Sequence, residues 1–199
     1  MTAVQTPFAL TPKAAPFAIR AEKAQDEAAR EALLDACFGE NRHTRTCQRL
    51  RDGRTPADGL ALSAVAQGKL IGTLRLWHVS AGGRHALVLG PLAVDCAFRK
   101  LGVGAALIAR AVATARARGH RAVLLLGDAA YYERFGFSAA KTADLMLPGA
   151  YEQERLLGIE LVPGALDGAW GMIVPTGGSL PKSKAVRARK ASRLVPRAA

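Results

Sequence analysis

The sequence predicts a mixed α/β protein: a central, twisted, mostly antiparallel sheet with helices on both faces and one splayed parallel strand pair. Three features predict it. Residues 60–66, 70–79 and 85–94 are apolar, strand-like runs joined by Gln67-Gly68 and by Ser80-Ala81-Gly82-Gly83, the pattern of an antiparallel meander. Residues 85–126 then read strand, helix, strand, which calls for a parallel crossover. Within the first strand of that crossover stands Gly90-Pro91. Proline cannot donate to a sheet ladder, so a bulge that splays this strand from its parallel neighbour is expected there.

The remaining elements follow in order. Residues 17–20 read as a short strand, and residues 26–38 as a helix with Ala29, Leu33, Ala36 and Cys37 on its apolar side and Gly39 as its stop. A second helix is expected over residues 43–51, within a segment where Arg42, Arg45, Arg49, Arg51 and Arg54 fall close together. Residues 103–118 carry a helical stripe of Val103, Leu107, Ile108, Ala111, Val112 and Ala115, closed by Gly119. Residues 122–126 form a continuous apolar run of strand length, as buried parallel strands do. A short helix over 130–134 should lead through Phe135-Gly136-Phe137 into another strand, and residues 171–176 should form the last one. Trp77 and Trp170 are expected to pack rather than to bind a ligand.

With 199 residues, 50% apolar and 22% charged, the chain can bury roughly 70% of its unfolded surface in one core. That composition excludes wholesale disorder, and three cysteines exclude a disulfide scaffold. Cys37, Cys47 and Cys96 lack metal-ligand spacing, so they read as reduced thiols and no metal site is expected. His43, His85 and His120 are scattered and suggest no His-centred triad. No export signal and no membrane-spanning run are visible, which makes a cytoplasmic location the expectation. The organisation expected is a flexible leader over 1–16, one domain over 17–178, and a basic, disordered tail over 179–199. Net charge is +12, but seven bases lie in that acid-free tail, leaving 21 bases against 16 acids, or +5, elsewhere. The tail is the one segment that could engage nucleic acid.

The chemistry concentrates at Arg99-Lys100-Leu101-Gly102-Val103-Gly104-Ala105, at the entrance of the predicted 103–118 helix. Amides there lack intrahelical partners, the helix dipole is positive, two glycines admit close approach, and Arg99 and Lys100 add charge. This is an anion cradle. A P-loop is excluded because Ala105-Ala106 follows Gly104 where Lys-Ser or Lys-Thr is needed. A dinucleotide fingerprint lacks its third glycine, Leu107 standing there, although Asp128 is placed like a ribose ligand.

The pattern Arg-x-x-Gly-x-Gly, preceded by Leu89-Gly90-Pro91-Leu92-Ala93-Val94 and followed by Tyr131-Tyr132-Glu133-Arg134-Phe135-Gly136-Phe137, resembles the GNAT superfamily of N-acetyltransferases over about residues 17–140. The wording looks like a bacterial, YhbS-like branch. The resemblance implies an acyl-CoA N-acyltransferase domain that uses acetyl-CoA as cosubstrate and a primary amine, on a small molecule or peptide, as acceptor. It implies that the pyrophosphate sits on Arg99, Lys100, Leu101, Gly102, Val103, Gly104 and Ala105, and the pantetheine arm along Leu92, Ala93 and Val94. It further implies a backbone oxyanion contact from Val94 and a general acid at Tyr132, with Tyr131 as the adjacent rival. Asp95, Glu133 and His78 are candidates for the general base. The arginine cluster leaves open an acidic acceptor. A second reading from another class is a non-catalytic acyl-CoA sensor or nucleic-acid-associated module; Tyr132 is the residue that separates the two.

Overall fold

The computed structural model describes residues 16–180, so the leader over 1–15 and the basic segment from 181 onward lie outside it. The strands are β1 (Ala18–Ala21), β2 (Ala61–Ala66), β3 (Lys69–Ala81), β4 (Arg84–Val94), β5 (Ala122–Leu126), β6 (Leu145–Met146), β7 (Leu156–Glu160) and β8 (Gly171–Pro175). The helices are α1 (Glu27–Phe38), α2 (Val103–Ala117) and the short α3 (Ala129–Tyr132). One sheet has the order β1-β2-β3-β4-β5-β7, and β8 pairs with β3 at Val79–Ala81, beyond the end of β2. Only the β4–β5 and β6–β8 pairings are parallel.

Alternation along the strands builds a two-faced core. Leu87 and Leu89 of β4, Val123 and Leu125 of β5 and Leu157 of β7 face one cluster, into which α2 sends Val103, Leu107, Ile108, Ala111 and Ala115. Their neighbours Ala86, Val88, Ala122, Leu124 and Leu156 face the other, closed by Leu50, Leu145, Leu147, Leu166 and Ala169. Gly72 lets α2 pack tightly on the sheet: an added Cβ there would stand 3.0 Å from the Val103 side chain. The residue before α1, Asp26, hydrogen-bonds Ser63 of β2, whose side chain lies on the face opposite Leu62 and Ala64. The two long helices therefore cover opposite faces.

Four expectations are corrected. The helix over 43–51 is instead two 3-10 turns, Glu40–Thr44 and Thr46–Leu50, separated by an extended Arg45. This stretch is rich in weak helix formers, and the Thr44 hydroxyl donates to the Asn41 carbonyl (2.8 Å), a local bond that competes with a helix. Phe137 does not lead directly into a strand; Ser138 makes a single bridge to Gly158, and its hydroxyl caps a 3-10 turn by accepting from the Ala140 amide. Trp170 is 75% exposed rather than packed. Ser179 and Leu180, read from sequence as the start of the tail, are held on the domain by the Arg54–Ser179 bridge and by the Leu180 amide on the Gly53 carbonyl.

A buried ionic layer fastens α1 to the sheet. Glu22 accepts from Arg30 of α1 and from Arg75 of β3, while Arg30 also reaches Glu31. Asp26 accepts from both terminal nitrogens of Arg20 (2.6 and 2.8 Å), from the Lys23 amide and from Ser63. The Arg20 bond, assisted by those from Lys23 and Ser63, outweighs burial and holds the Asp26 carboxyl well below the usual carboxylate range. Because its folded value lies below its unfolded value near 4, the pair's stabilisation is complete above about pH 5 and is lost as pH falls. Urea titrations at a series of pH values should show Asp26→Asn less stable than wild type at pH 7, with the gap closing below about pH 3. A gap that does not change with pH would remove the charge from this account.

Candidate active site

The splay is present and its cause is visible. β4 and β5 pair only at Leu87–Val123 and Val88–Leu124. Beyond them, Leu89 to Val94 has no β5 partner, because β5 stays with β7 through Leu125–Leu157 and Leu126–Leu156. On its other edge β4 still follows β3, but Leu76 faces Leu89 and Leu74 faces Leu92: one extra residue on β4 has been bulged out at Gly90-Pro91. The peptide between them is cis and Gly90 has φ +137°, a value that suits glycine. Trp77, buried on β3, donates its indole N–H to the Gly90 carbonyl at 2.6 Å.

The bulge leaves a usable backbone edge. The Asp95 amide bonds back to the Ile71 carbonyl of β3 (2.8 Å), so by ladder alternation the amides of Val94 and Leu92 point away from β3, into the gap β5 has vacated. From the helix side, the Cys37 thiol reaches the Val94 carbonyl at 3.5 Å.

Two cavities lie along this edge. The smaller, about 440 Å³, is the glycine cradle: Arg99, Lys100, Gly102, Val103, Gly104 and Ala105 line it together with Val94, Phe98, Tyr131 and Arg134. Gly102 caps α2 in the left-handed region (φ +79°), and since the Ala106 amide is the first to bond back into the helix, those of Val103, Gly104 and Ala105 are free. The absence of a Cβ at Gly104 matters, because one placed there would be 3.1 Å from the Tyr131 hydroxyl oxygen. The Arg134 guanidinium lies over the Tyr131 ring, 4.1 Å from its centroid, bringing a third cation that the sequence pattern did not single out. Leu101 is exposed and Ala93 is buried; neither side chain lines a cavity.

The larger cavity, about 800 Å³, begins where β4 and β5 part. Val88 through Leu92, Leu125, Leu126 and Tyr132 form one side; the turns of residues 38–51 and residues 150–155 form the other. The two adjacent tyrosines are thus divided between the cavities. Tyr132 packs edge-on against Tyr131 (5.0 Å) and Phe137 (5.9 Å), over Gly127, where any side chain would strike its ring. Burial, with a smaller contribution from Tyr131, pushes its phenol up to about 12, so it stays protonated throughout the neutral range.

The candidate bases lie elsewhere. Asp95 caps a 3-10 turn and pairs with Lys69 at 2.9 Å, which holds its carboxyl below the ordinary value. His78 packs against His120, and Glu133 lies outside both cavities. Glu152 is the carboxylate lining the large cavity, within 3.6 Å of Arg155; it sits in a segment with no sequence signal beyond a Tyr-Glu pair. Among the described residues no His, Cys, Asp and Glu cluster of metal-ligand type occurs, and no helix is long and apolar enough to cross a membrane.

A split parallel pair, a free strand edge and a glycine cradle at the following helix define an acyltransferase architecture, and comparison with known proteins agrees. Residues 25–137 match the acetyltransferase (GNAT) family. The chain is 31% identical over 161 residues to the uncharacterized N-acetyltransferase YhbS of Escherichia coli K12, covering 78% of this chain and 93% of that protein. The crystal structure of E. coli YhbS in complex with CoA superposes with a TM-score of 0.67 at 29% identity, over 84% of this chain and 93% of that one. A GNAT acetyltransferase from Brucella melitensis in complex with acetyl-CoA gives 0.60 at 27% identity, over 80% and 96%. The chain belongs to the GNAT family of acetyltransferases.

The bond from Trp77 should be measurable. Trp77→Phe keeps the ring but deletes the donor to the bulge carbonyl, which should lower stability by about 1–2 kcal/mol in urea unfolding. Unchanged stability would show that the bulge holds itself.

Proposed function

We propose that this GNAT enzyme transfers the acetyl group of acetyl-CoA to a primary amine by direct attack, with Tyr132 as general acid and the Val94 amide as oxyanion donor. The observation that carries this reading is the continuity of one edge: cradle amides at residues 103–105, free strand amides at Val94 and Leu92, and Tyr132 on the wall of the larger cavity that it shares with Val88 to Leu92. The fit to acetyl-CoA is chemical. Three free amides beside Arg99, Lys100 and Arg134 suit a pyrophosphate, and an extended arm with two amides suits a strand edge without a partner.

Bound acetyl-CoA supplies an activated thioester whose carbonyl carbon a neutral amine can attack. The chain's residues do the rest. The Val94 N–H stabilises charge developing on the carbonyl oxygen. Tyr132 donates its proton to the departing sulfur as the C–N bond replaces the C–S bond, and the proton lost by the amine passes to water. A phenol held near 12 does not ionise at working pH; CoA departs as the thiol, and the Tyr132 phenolate left by the transfer regains its proton from water before the next turnover.

Two variants test the halves separately. Gly104→Glu places a carboxylate among the cradle amides and against Tyr131, so calorimetry should find acetyl-CoA binding lost in a protein that still folds; undiminished affinity would remove the cradle from the site. Tyr132→Phe deletes one hydroxyl and should lower kcat for thiol release by about a hundredfold to ten-thousandfold with acetyl-CoA affinity little changed. Tyr131→Phe should be far milder. Full activity in folded Tyr132→Phe would end the general-acid assignment.

A further inference from the structure

We propose that Arg51, with Arg45 beside it, is an anion subsite in the larger cavity, and that the acceptor is an amine bearing a carboxylate or a phosphate on the same molecule. The inference rests on the reading of that cavity as the acceptor side of an acetyltransferase. It starts from how the arginines of residues 42–54 are used. Arg42 is bound by Glu31 and Asp35 of α1. Arg49 donates to the Pro148 carbonyl at 2.7 Å and Arg54 to the Gly177 carbonyl at 2.8 Å. These three are structural clasps.

Arg51 is different. Its Nε is buried without a hydrogen-bond partner, and the guanidinium forms no ion pair among the described residues. Residues 1–15 and 181–199 contain no aspartate or glutamate that could supply one. The side chain lines the cavity, with Nη1 3.8 Å from where a Cβ on Gly90 would stand, so it lies against the point at which β4 leaves β5. Its nearest acidic neighbour in the chain, Asp52, is engaged by the Gln48 amide at 2.6 Å. Arg45 lines the same cavity, anchored over the Phe38 ring at 4.9 Å and on the Phe38 carbonyl, and it too lacks a carboxylate. Burial draws the Arg51 guanidinium below its ordinary value against the opposing pull of Cys47 and Asp52, and Arg42 and Arg45 add smaller pushes in the direction of burial.

A half-buried guanidinium whose Nε is shut off from water without a partner is unfavourable, and an apolar acceptor would be met as well by leucine or methionine. A planar fork with free donors, set in a cavity of ligand size, suits a bidentate oxyanion. The location also serves the reaction: cations around the acceptor favour the neutral amine, the form that attacks.

The test compares matched amines: β-alanine with β-alaninamide, and O-phosphoethanolamine with ethanolamine. Binding is read by thermal shift in the presence of CoA, and acetylation by thiol release. Wild type should be stabilised by, and should prefer, the anionic member of at least one pair; the pair that responds identifies carboxylate or phosphate. In Arg51→Met the preference, as a ratio of kcat/KM values, should fall by about 10–100-fold, and the thermal shift should vanish. Its own melting temperature should equal or exceed that of wild type, since a half-buried cation with an unpartnered Nε has gone. Arg51→Lys should restore part of the preference. Equal binding of charged and neutral members by wild type, or an unchanged ratio in Arg51→Met, would overturn the subsite. Arg51-dependent anion binding without any acetyl transfer would leave the subsite standing and overturn the enzymatic reading instead.

Discussion

The structure turns on one inserted residue. If β4 ran beside β5 for its whole length, Leu89 to Val94 would spend their outward amides on a parallel ladder and the sheet would be closed. The bulge at Gly90-Pro91 prevents that, while the Trp77 indole, by holding the Gly90 carbonyl, keeps β4 registered on β3 at both ends of the irregularity. β5 loses nothing essential by the separation, since β7 satisfies its other edge along all five residues. The defect in the β4–β5 ladder thus becomes an available edge while the β3–β4 and β5–β7 ladders continue, and the two cavities are the two ends of that edge.

The same divergence sorts the paired tyrosines. The last two residues of α3 point to different sides, so Tyr131 closes the cradle beside Gly104 whereas Tyr132 faces the widened strand gap. Gly104 and Gly127 each lack the side chain that would occupy one tyrosine's place. Small residues at these two positions are as much a part of the site as the aromatic ones.

Much of this was legible because it is local. β4, β5 and α2 declare themselves by alternation, by an unbroken apolar run and by a 3.6-residue stripe, and the cradle by glycines placed where a helix begins. What escaped notice was made by distant contacts. β7 is only five residues, interrupted by Gly158, and is a strand because β5 needs a second partner. Glu152 and Arg134 become site residues only when their loops fold over the sheet. The turns at 40–50 look like a helix to a count of spacing but lack the apolar stripe that tertiary packing would reward. Asp95 and His78 looked available as bases until the fold gave them a lysine and a second histidine for company.

The arginine-rich segment shows how charge patterning in a sequence differs from charge in a structure. Five arginines in thirteen positions suggest a diffuse positive face. Folding spends Arg42 on α1, whose Glu31 is shared with Arg30 and so with the Glu22–Arg75 layer under β3, and spends Arg49 and Arg54 on backbone carbonyls. These contacts tie the turns to α1 and to the loops at Pro148 and Gly177, and between them Arg51 lies at the bulge with its donors uncommitted. A flexible loop would let that side chain swing out to water and avoid the cost of burial. Held as it is, the guanidinium stands where the strand edge opens, with no ion pair to a carboxylate among the described residues although Glu152 lines the same cavity.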